Sequence, residues 1–193
     1  MKQTIILGSS SPSRRDVMNK LGLPYTIAHP ELDETPYPHE TALALVRRLS
    51  LAKAITVGKQ YPEALIIACD QVAELDNTIL GKPLTVENAV SQLKSQQGKE
   101  VVYYSGLCLL NAATGQHQIT VDETRVKFRA LSEAEIHRYI ALDNPLHCAA
   151  SFKCESRGML IVDWVHGDDV NGLMGLSLIS LSRLLKNEGV CVL

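Results

Sequence analysis

Residues 8–15, Gly-Ser-Ser-Ser-Pro-Ser-Arg-Arg, have the composition of a phosphate-binding loop. An apolar run precedes them and a helical pattern follows, which predicts a strand, a loop and a helix. Ser11 suits the N-cap and Pro12 the first helical position. Arg14 and Arg15 then fall in the first turn, where each cation opposes the helix dipole by about 0.3–1 kcal/mol. A bound phosphate would offset this cost, and the alternative is a strand–turn–helix unit with two solvated arginines.

An acidic loop follows over residues 30–38. Prolines at 30, 36 and 38 keep it extended, and it carries Glu31, Asp33 and Glu34 within four positions. Oxygen ligands of this kind suit a hard cation such as magnesium, which also binds phosphates. The alternative is a solvated acidic loop.

A carboxylate ends the most apolar stretch of the chain. Residues 64–69 predict a strand buried on both faces, and Asp70 and Gln71 follow it. Active-site groups in α/β proteins often lie where strands end, although Asp70 is equally suited to capping a turn. A predicted hairpin with its turn at Asp76-Asn77 then leads to Lys82, which can reach a phosphate.

Hydrophobic periodicity predicts the elements that position these groups. Helices are predicted over 12–21, 40–60, 85–96, 132–142 and 176–187, and strands over 4–7, 25–28, 64–69, 101–110, 117–128 and 159–162, besides the two short hairpin strands. Helices and strands interleave around a two-stranded insertion. We therefore expect an α/β fold with a mixed sheet.

The composition is that of an ordinary globular protein. The chain has 193 residues, is 46% hydrophobic and 21% charged, and has a formal net charge of −2. This balance argues against a nucleic-acid polymer as partner, and no apolar run is long enough for a membrane span. The N-terminus lacks the apolar region of a secretory signal, and five cysteines without a C-x-x-C pair favour a reducing cytoplasm. Cys148 and Cys154 near His147 suggest a metal, but packing is the favoured interpretation.

Several motifs together resemble the Maf-like nucleotide pyrophosphatases. They lie in the order and spacing typical of that family and are listed here: residues 8–15, Leu32-Asp33-Glu34, Leu51-Ala52-Lys53-Ala54, Cys69-Asp70-Gln71-Val72, Gly81-Lys82-Pro83-Leu84 and Pro145-Leu146-His147-Cys148-Ala149. Because the resemblance spans the chain, it implies a single domain over 1–193. The implied fold is an inosine-triphosphatase-like α/β architecture with an elongated mixed β-sheet, flanking helices and two lobes around a central cleft. It also implies a homodimer.

The resemblance implies a reaction as well. A nucleoside triphosphate is cleaved between its α- and β-phosphates, with a divalent metal, Mg²⁺ or Mn²⁺, required. The implied phosphate-binding residues are Ser9, Arg14, Arg15, Lys53 and Lys82. Glu34 and Asp70 are the implied metal ligands, and Asp70 is also the implied catalytic base. Whether Asp70 acts as the base, as a metal ligand or as both remains open. We expect the nearby cations to depress the pKa of Asp70.

Three residues bear on the base of the nucleotide: Ser13, Gln71 and Glu155. Gln71 and the run Phe152-Lys153-Cys154-Glu155 resemble the branch of the family associated with 7-methylguanosine triphosphate. A carboxylate such as Glu155 suits guanine donors and a cationic base. Ser13 is a departure, because that branch often has tryptophan there, and tryptophan could contribute about 0.5–2 kcal/mol by stacking on the cationic base. The alternatives are a dTTP/UTP pyrophosphatase and a nucleotide-sensing regulator of cell division.

Overall fold

The computed structural model describes residues 3–193, and within them seven strands form one mixed sheet flanked by five helices. The strands are β1 (Ile5–Gly8), β2 (Thr26–Ala28), β3 (Leu65–Leu75), β4 (Thr78–Leu80), β5 (Glu100–Asn111), β6 (His117–Phe128) and β7 (Val162–Gly167). The helices are α1 (Pro12–Asn19), α2 (Ala42–Gly58), α3 (Val86–Gln96), α4 (Glu133–Asp143) and α5 (Leu178–Asn187). The strand order is β2-β1-β3-β5-β6-β7, with β4 beside β3. The predicted α/β fold with a mixed sheet is confirmed.

Local side chains set the start of every helix described above. Each helix begins after a serine or threonine whose side-chain oxygen accepts an N–H from the third residue of the helix, and these caps are Ser11, Thr41, Thr85, Ser132 and Ser177. The long helix predicted over 40–60 therefore starts at Ala42. Within residues 3–193, none of the helices has the length and apolar content needed to cross a membrane.

The predicted end of a strand at Asp70 is wrong, because β3 continues to Leu75. Asp76 and Asn77 then have φ values of 49° and 62°, as a type I′ hairpin turn requires. β1 pairs in parallel with residues 65–68 and β4 pairs antiparallel with residues 73–75. Between residues 3 and 193, no strand pairs with residues 69–72 on that side. Asp70 therefore lies at a gap in the sheet rather than at a strand end.

The long strands contribute to a hydrophobic core at each end of the sheet. One core takes Ala73 and Leu75 of β3 together with side chains of α3 and α4. The other takes Leu65 and Ile67 of β3 together with side chains of α1 and α5. On the opposite face, α2 packs across the middle of the sheet, and the gap lies between the two cores.

The predicted strand over 159–162 is also wrong. Residues 157–161 form a 3₁₀ turn, and the strand that pairs with β6 begins at Val162. Met159 and Leu160 are exposed rather than buried. The register with β6 decides this, because Val162 lies opposite Phe128 and Gly167 opposite Thr124. Apolarity alone did not reveal that register.

Candidate active site

A cleft of about 830 Å³ opens at the gap in the sheet. Its walls come from the loop after β1, the acidic loop, α2, β3, the residues after β4 and the segment 144–155. Of the ten predicted site residues, nine line it: Ser9, Ser13, Arg14, Glu34, Lys53, Asp70, Gln71, Lys82 and Glu155. The tenth, Arg15, has an exposed side chain and does not line the cleft. The structure thus brings together residues that are up to 146 positions apart in the numbering from Ser9 to Glu155.

The serine loop holds its shape through its own side chains. Ser11 caps α1 by accepting the N–H of Arg14, and Pro12 occupies the first helical turn. The buried Ser9 Oγ accepts the N–H of Ser11 at 3.2 Å. The predicted N-cap at Ser11 and the predicted position of Pro12 are thus confirmed.

The Arg14 guanidinium is fixed by backbone carbonyls. Its Nε donates to Gly175 O at 3.0 Å, and one terminal nitrogen donates to Cys69 O at 2.9 Å and lies 3.4 Å from Ser9 Oγ. The Cys69 carbonyl belongs to the part of β3 that has no neighbouring strand at the gap. Arg14 supplies the hydrogen-bond donor that a strand would otherwise provide there. A guanidinium held by neutral carbonyls keeps its charge available for a phosphate.

Lys53 joins two carboxylates at the bottom of the cleft. Its Nζ lies 2.5 Å from Asp70 Oδ1 and 2.7 Å from Glu34 Oε1. Lys53 and Asp70 are buried, whereas Glu34 is half-exposed. Gly106 allows this arrangement, because a Cβ there would lie 2.5 Å from Ser50 Oγ and 2.8 Å from Val46 O of α2. The absence of a side chain lets α2 approach the sheet directly beside Asp70, which pairs with Gly106.

For both Asp70 and Glu34, burial raises the pKa of the carboxyl group and the nearby cations lower it. Burial raises the pKa of Asp70, and the neighbouring Lys53 and Arg14 only partly offset it. The expected depression of the Asp70 pKa is therefore wrong, because desolvation outweighs the cations. Burial also acts to raise the pKa of Glu34, but its hydrogen bond and ion pair with Lys53 outweigh that, and the pKa is lowered. Lys82 adds its charge near Glu34.

The far wall of the cleft contains a turn with unusual backbone geometry. Ala150 and Ser151 have φ values of 54° and 56°, which are costly for residues other than glycine. Helix α3 supports the turn, since Gln96 Nε2 donates to Ala150 O at 2.9 Å and Ser151 Oγ donates to Gln92 Oε1 at 2.6 Å. The turn is thereby held as a rigid base for the residues that follow it.

Those residues present Glu155 to the cleft. Ser13 Oγ donates to Glu155 Oε1 at 2.6 Å, so two predicted base-specificity residues contact each other. Phe152 lies beneath, buried against Phe128 with ring centroids 5.2 Å apart. Among the cleft-lining residues that the structure describes, no phenylalanine, tyrosine or tryptophan ring other than this buried one is present to stack on a base.

Sequence reasoning gave no role to three residues that line the cleft, nor to Gly175, which does not line it. His147 and Leu84 are exposed there, and Lys153 Nζ lies 3.4 Å from Asp143 O. Gly175 holds Arg14 through its carbonyl. The motifs that contain Lys153, His147 and Leu84 were a usable signal, but the contact of Gly175 with Arg14 is visible only in three dimensions.

Cys148 and Cys154 also line the cleft. Burial raises the pKa of the Cys148 thiol to about 11 and that of Cys154 to about 12. Both thiols are therefore protonated near neutral pH. Between residues 3 and 193, no group of three or more His, Cys, Asp or Glu side chains is arranged to hold a metal ion.

The remaining predicted residue, Gln71, lies on the other face of β3 from Asp70. Its Nε2 donates to Ser105 Oγ at 2.9 Å and to Leu173 O at 3.0 Å. The adjacent residues of the Asp70-Gln71 pair therefore make contacts on opposite sides of the sheet.

Comparison of the sequence with known proteins identifies the family of this chain. A family model described as Maf-like protein matches residues 4–188. The chain belongs to the Maf-like family. A relative from Nitrosococcus oceani, named 7-methyl-GTP pyrophosphatase, is 45% identical over 190 residues, which is 98% of this chain and 96% of the relative. A second one from Alcanivorax borkumensis, with the same name, is 44% identical over 187 residues, which is 97% of this chain and 95% of the relative. The resemblance drawn from the sequence motifs is confirmed.

Proposed function

We propose that this protein hydrolyses the α–β phosphoanhydride of a nucleoside triphosphate whose base is 7-methylguanine, releasing the monophosphate and pyrophosphate. One observation carries the proposal: a single cleft is lined by the cations Arg14, Lys53 and Lys82, by Asp70 and by Glu155. The cations suit a triphosphate, and the separate carboxylate suits a cationic base. Two relatives that align over nearly their whole length are named 7-methyl-GTP pyrophosphatase.

The cations neutralise and position the triphosphate, which is most of what phosphoanhydride cleavage requires of a protein. Arg14 is held in place before substrate arrives, so little ordering is needed on binding. Lys82 is exposed where it lines the cleft, and its flexible side chain can move toward the phosphates. Ser9 contributes its hydroxyl beside Arg14.

Asp70 is the base in this proposal and takes a proton from the attacking water. Its raised pKa makes it a stronger base than an ordinary aspartate. Lys53, hydrogen-bonded to Asp70 at 2.5 Å, favours the ionised carboxylate and so opposes the effect of burial on its pKa.

A divalent cation, Mg²⁺ or Mn²⁺, fits the residues present. Glu34 and Asp70 both contact the Lys53 ammonium, so the two carboxylates lie close enough together to share a metal ion beside it. Magnesium is bound in many proteins by one or two carboxylates together with substrate phosphates. We propose Glu34 and Asp70 as its ligands, and when bound it would neutralise phosphate oxygens.

Glu155 recognises the base in this proposal. Methylation at N7 makes guanine cationic, and an exposed carboxylate attracts that charge and accepts hydrogen bonds from the base. Ser13 holds the carboxylate from one side rather than stacking on the base. Selectivity then depends on charge and hydrogen bonds, which matches the lack of an exposed phenylalanine, tyrosine or tryptophan ring among the described cleft residues.

A substrate panel tests the proposal. Pyrophosphate release is measured with Mg²⁺ and with Mn²⁺ for 7-methyl-GTP, GTP, UTP and dTTP. The highest kcat/KM is expected for 7-methyl-GTP, and activity is expected to disappear when the metal is chelated. A higher value for UTP or dTTP would assign the protein to pyrimidine nucleotides. Binding without turnover of any nucleotide would instead make it a nucleotide sensor.

We also propose a homodimer located in the cytoplasm. The dimer is supported by the family resemblance, and the compartment by five cysteines without a disulfide among those described. Light scattering of the purified protein gives its molar mass directly, and a monomer mass would exclude the dimer.

A further inference from the structure

The acidic loop that carries Glu34 depends on side-chain contacts for its position. Residues 29–41, between β2 and α2, belong to no helix or strand. Lys53 contacts Glu34 directly, but a metal ion bound by Glu34 would compete for the same carboxylate. An attachment of the loop that does not involve Glu34 itself would keep the carboxylate in place for the metal.

Arg48 of α2 provides such an attachment. Its Nε donates to Glu40 Oε1 at 2.7 Å, and a terminal nitrogen donates to Glu40 Oε2 at 2.8 Å, which makes a two-point ion pair. The same terminal nitrogen donates to Thr35 O at 3.1 Å. Thr35 directly follows Glu34 in the chain, so the backbone beside the proposed metal ligand is hydrogen-bonded to α2.

The Arg48 guanidinium also lies over an aromatic ring of the loop. Its Cζ is 3.9 Å from the centroid of the Tyr37 ring. Tyr37 N in turn donates to Glu40 Oε2 at 3.0 Å. Arg48 thus contacts three residues of the loop at once. A planar guanidinium with several donors suits these contacts, whereas the compact ammonium of a lysine does not.

The ion pair between Arg48 and Glu40 is partly shielded from solvent. The side chain of Glu40 is 8% exposed and that of Arg48 is 24% exposed. The hydrogen bonds from Arg48 lower the pKa of Glu40 to about 2, so the pair is charged throughout the neutral range. Two-point, charge-assisted contacts of this kind contribute more than an ordinary surface ion pair. Neither residue lines the cleft, so the pair acts without touching a bound nucleotide.

We infer that Arg48 is a positioning residue that holds Glu34 at the metal site by fixing the acidic loop to α2. This rests on the proposed function, in which Glu34 is a ligand of Mg²⁺ or Mn²⁺. Two cations of the same helix hold the loop at different places, Lys53 at Glu34 and Arg48 within residues 35–40. Arg48 acts on the metal only through Glu34.

The experiment measures the binding of Mn²⁺ alone, from the electron paramagnetic resonance signal of the free ion. The full-length wild type is compared with Arg48→Met, Glu34→Gln and the double variant, and thermal denaturation verifies folding. Arg48→Met is expected to weaken Mn²⁺ binding by about tenfold. In the Glu34→Gln background the same change should cost less than about twofold, because the ligand on which Arg48 acts is already lost.

Arg47→Met is the matched control, because it removes the same charge from an exposed neighbouring position of α2. It should change the Kd of Mn²⁺ by less than about twofold. Inorganic tripolyphosphate, a probe with phosphates and no base, should bind Arg48→Met with nearly the wild-type affinity when no metal is present. The inference would be overturned by an unchanged Kd of Mn²⁺ in Arg48→Met, by the same loss with and without Glu34, or by a tenfold loss of tripolyphosphate affinity.

Amide hydrogen exchange tests the loop without metal or turnover. The Tyr37 N–H is hydrogen-bonded to Glu40, so it should exchange about tenfold faster in Arg48→Met than in the wild type. Unchanged exchange would show that Arg48 does not hold the loop. If Arg48→Met does not fold, Glu40→Gln breaks the same contact from the other side, with the same results expected. If the wild type neither binds Mn²⁺ nor needs a metal for turnover, the proposed metal site fails, while Tyr37 exchange still decides whether Arg48 fixes the loop.

Discussion

Ser13 Oγ and Glu155 Oε1 are 2.6 Å apart, and this hydrogen bond joins the start of α1 to the far wall of the cleft. The two residues are separated by 142 positions in the sequence. Glu155 is the carboxylate proposed to attract a cationic base, and Ser13 has no ring that could stack on that base. In this proposal, recognition of the base therefore depends on the charge of Glu155 rather than on stacking.

We expect Glu155→Gln to reduce the preference for 7-methyl-GTP over GTP by about tenfold, because it removes a charge while keeping the shape of the side chain. Ser13→Ala is the matched variant that keeps the charge and removes one donor. It should lower kcat/KM for both guanine nucleotides by about the same few-fold factor. Steady-state kinetics with the two nucleotides measures both effects. An unchanged preference in Glu155→Gln would exclude Glu155 as the group that recognises the cationic base.

Arg14 and Arg15 should behave differently. Arg14 lines the cleft and Arg15 does not, so Arg14→Gln should weaken tripolyphosphate binding by about tenfold or more. Arg15→Gln, which removes the same charge one residue away, should change it by less than about twofold. Calorimetry under identical salt conditions makes the comparison. Equal losses would mean that the arginines act only as a diffuse positive field.

Asp70→Asn is expected to lower kcat by about 10²–10⁴-fold, the usual contribution of a general base. Tripolyphosphate binding measured without a divalent metal should be retained, because the change removes a negative charge and leaves Glu34 to pair with Lys53. Asp163→Asn is the control, since Asp163 is an exposed carboxylate on β7 outside the cleft. Undiminished turnover in Asp70→Asn would end the proposed role of Asp70 as base.

The pKa of Asp70 should lie above its ordinary value, because burial outweighs the neighbouring cations. Activity that needs the ionised carboxylate should therefore fall with decreasing pH at a higher pH than an ordinary aspartate would give. Lys53→Met should raise the pKa further, since it removes a charge that favours the ionised form. Carbon-13 NMR titration of the carboxyl group measures this without turnover. A lower pKa in Lys53→Met would contradict the ion pair seen in the structure.

Gly106→Ala should destabilise the fold by about 1–3 kcal/mol, because the new methyl group meets Ser50 and the Val46 backbone of α2. Gly81→Ala is the matched control, since a Cβ at Gly81 has no neighbour within 4 Å and its φ is not positive. Urea denaturation of both variants gives the free energies of unfolding. Equal values would show that α2 does not depend on close approach at Gly106.

Much of the local structure could be predicted from the sequence, since it depends on residues a few positions apart. The caps at Ser11 and Ser132 and the hairpin turn at Asp76-Asn77 are examples. Side-chain hydrogen bonds to nearby backbone, and the need for positive φ in a two-residue turn, act within four residues. The motif residues of the cleft were also identified in advance, with the exception that Arg15 does not line it.

The directions in which the side chains of the motifs point were decided by tertiary structure alone. Successive residues of a helix point about 100° apart, so Arg14 and Arg15 do not both face one cleft. Successive strand residues point to opposite faces, so Asp70 meets Lys53 while Gln71 meets the 172–175 turn. The register of β6 and β7 likewise set the strand at residues 162–167.

The sequence by itself determined which chemical groups this Maf-like protein has and which short segments carry them. The fold decided their neighbours: Glu155 beside Ser13, and Gly175 beneath Arg14. It also decided that burial, rather than the nearby cations, controls the pKa of Asp70. Solvent exclusion and contacts between distant segments exist only once the chain has folded, so no local pattern could reveal them.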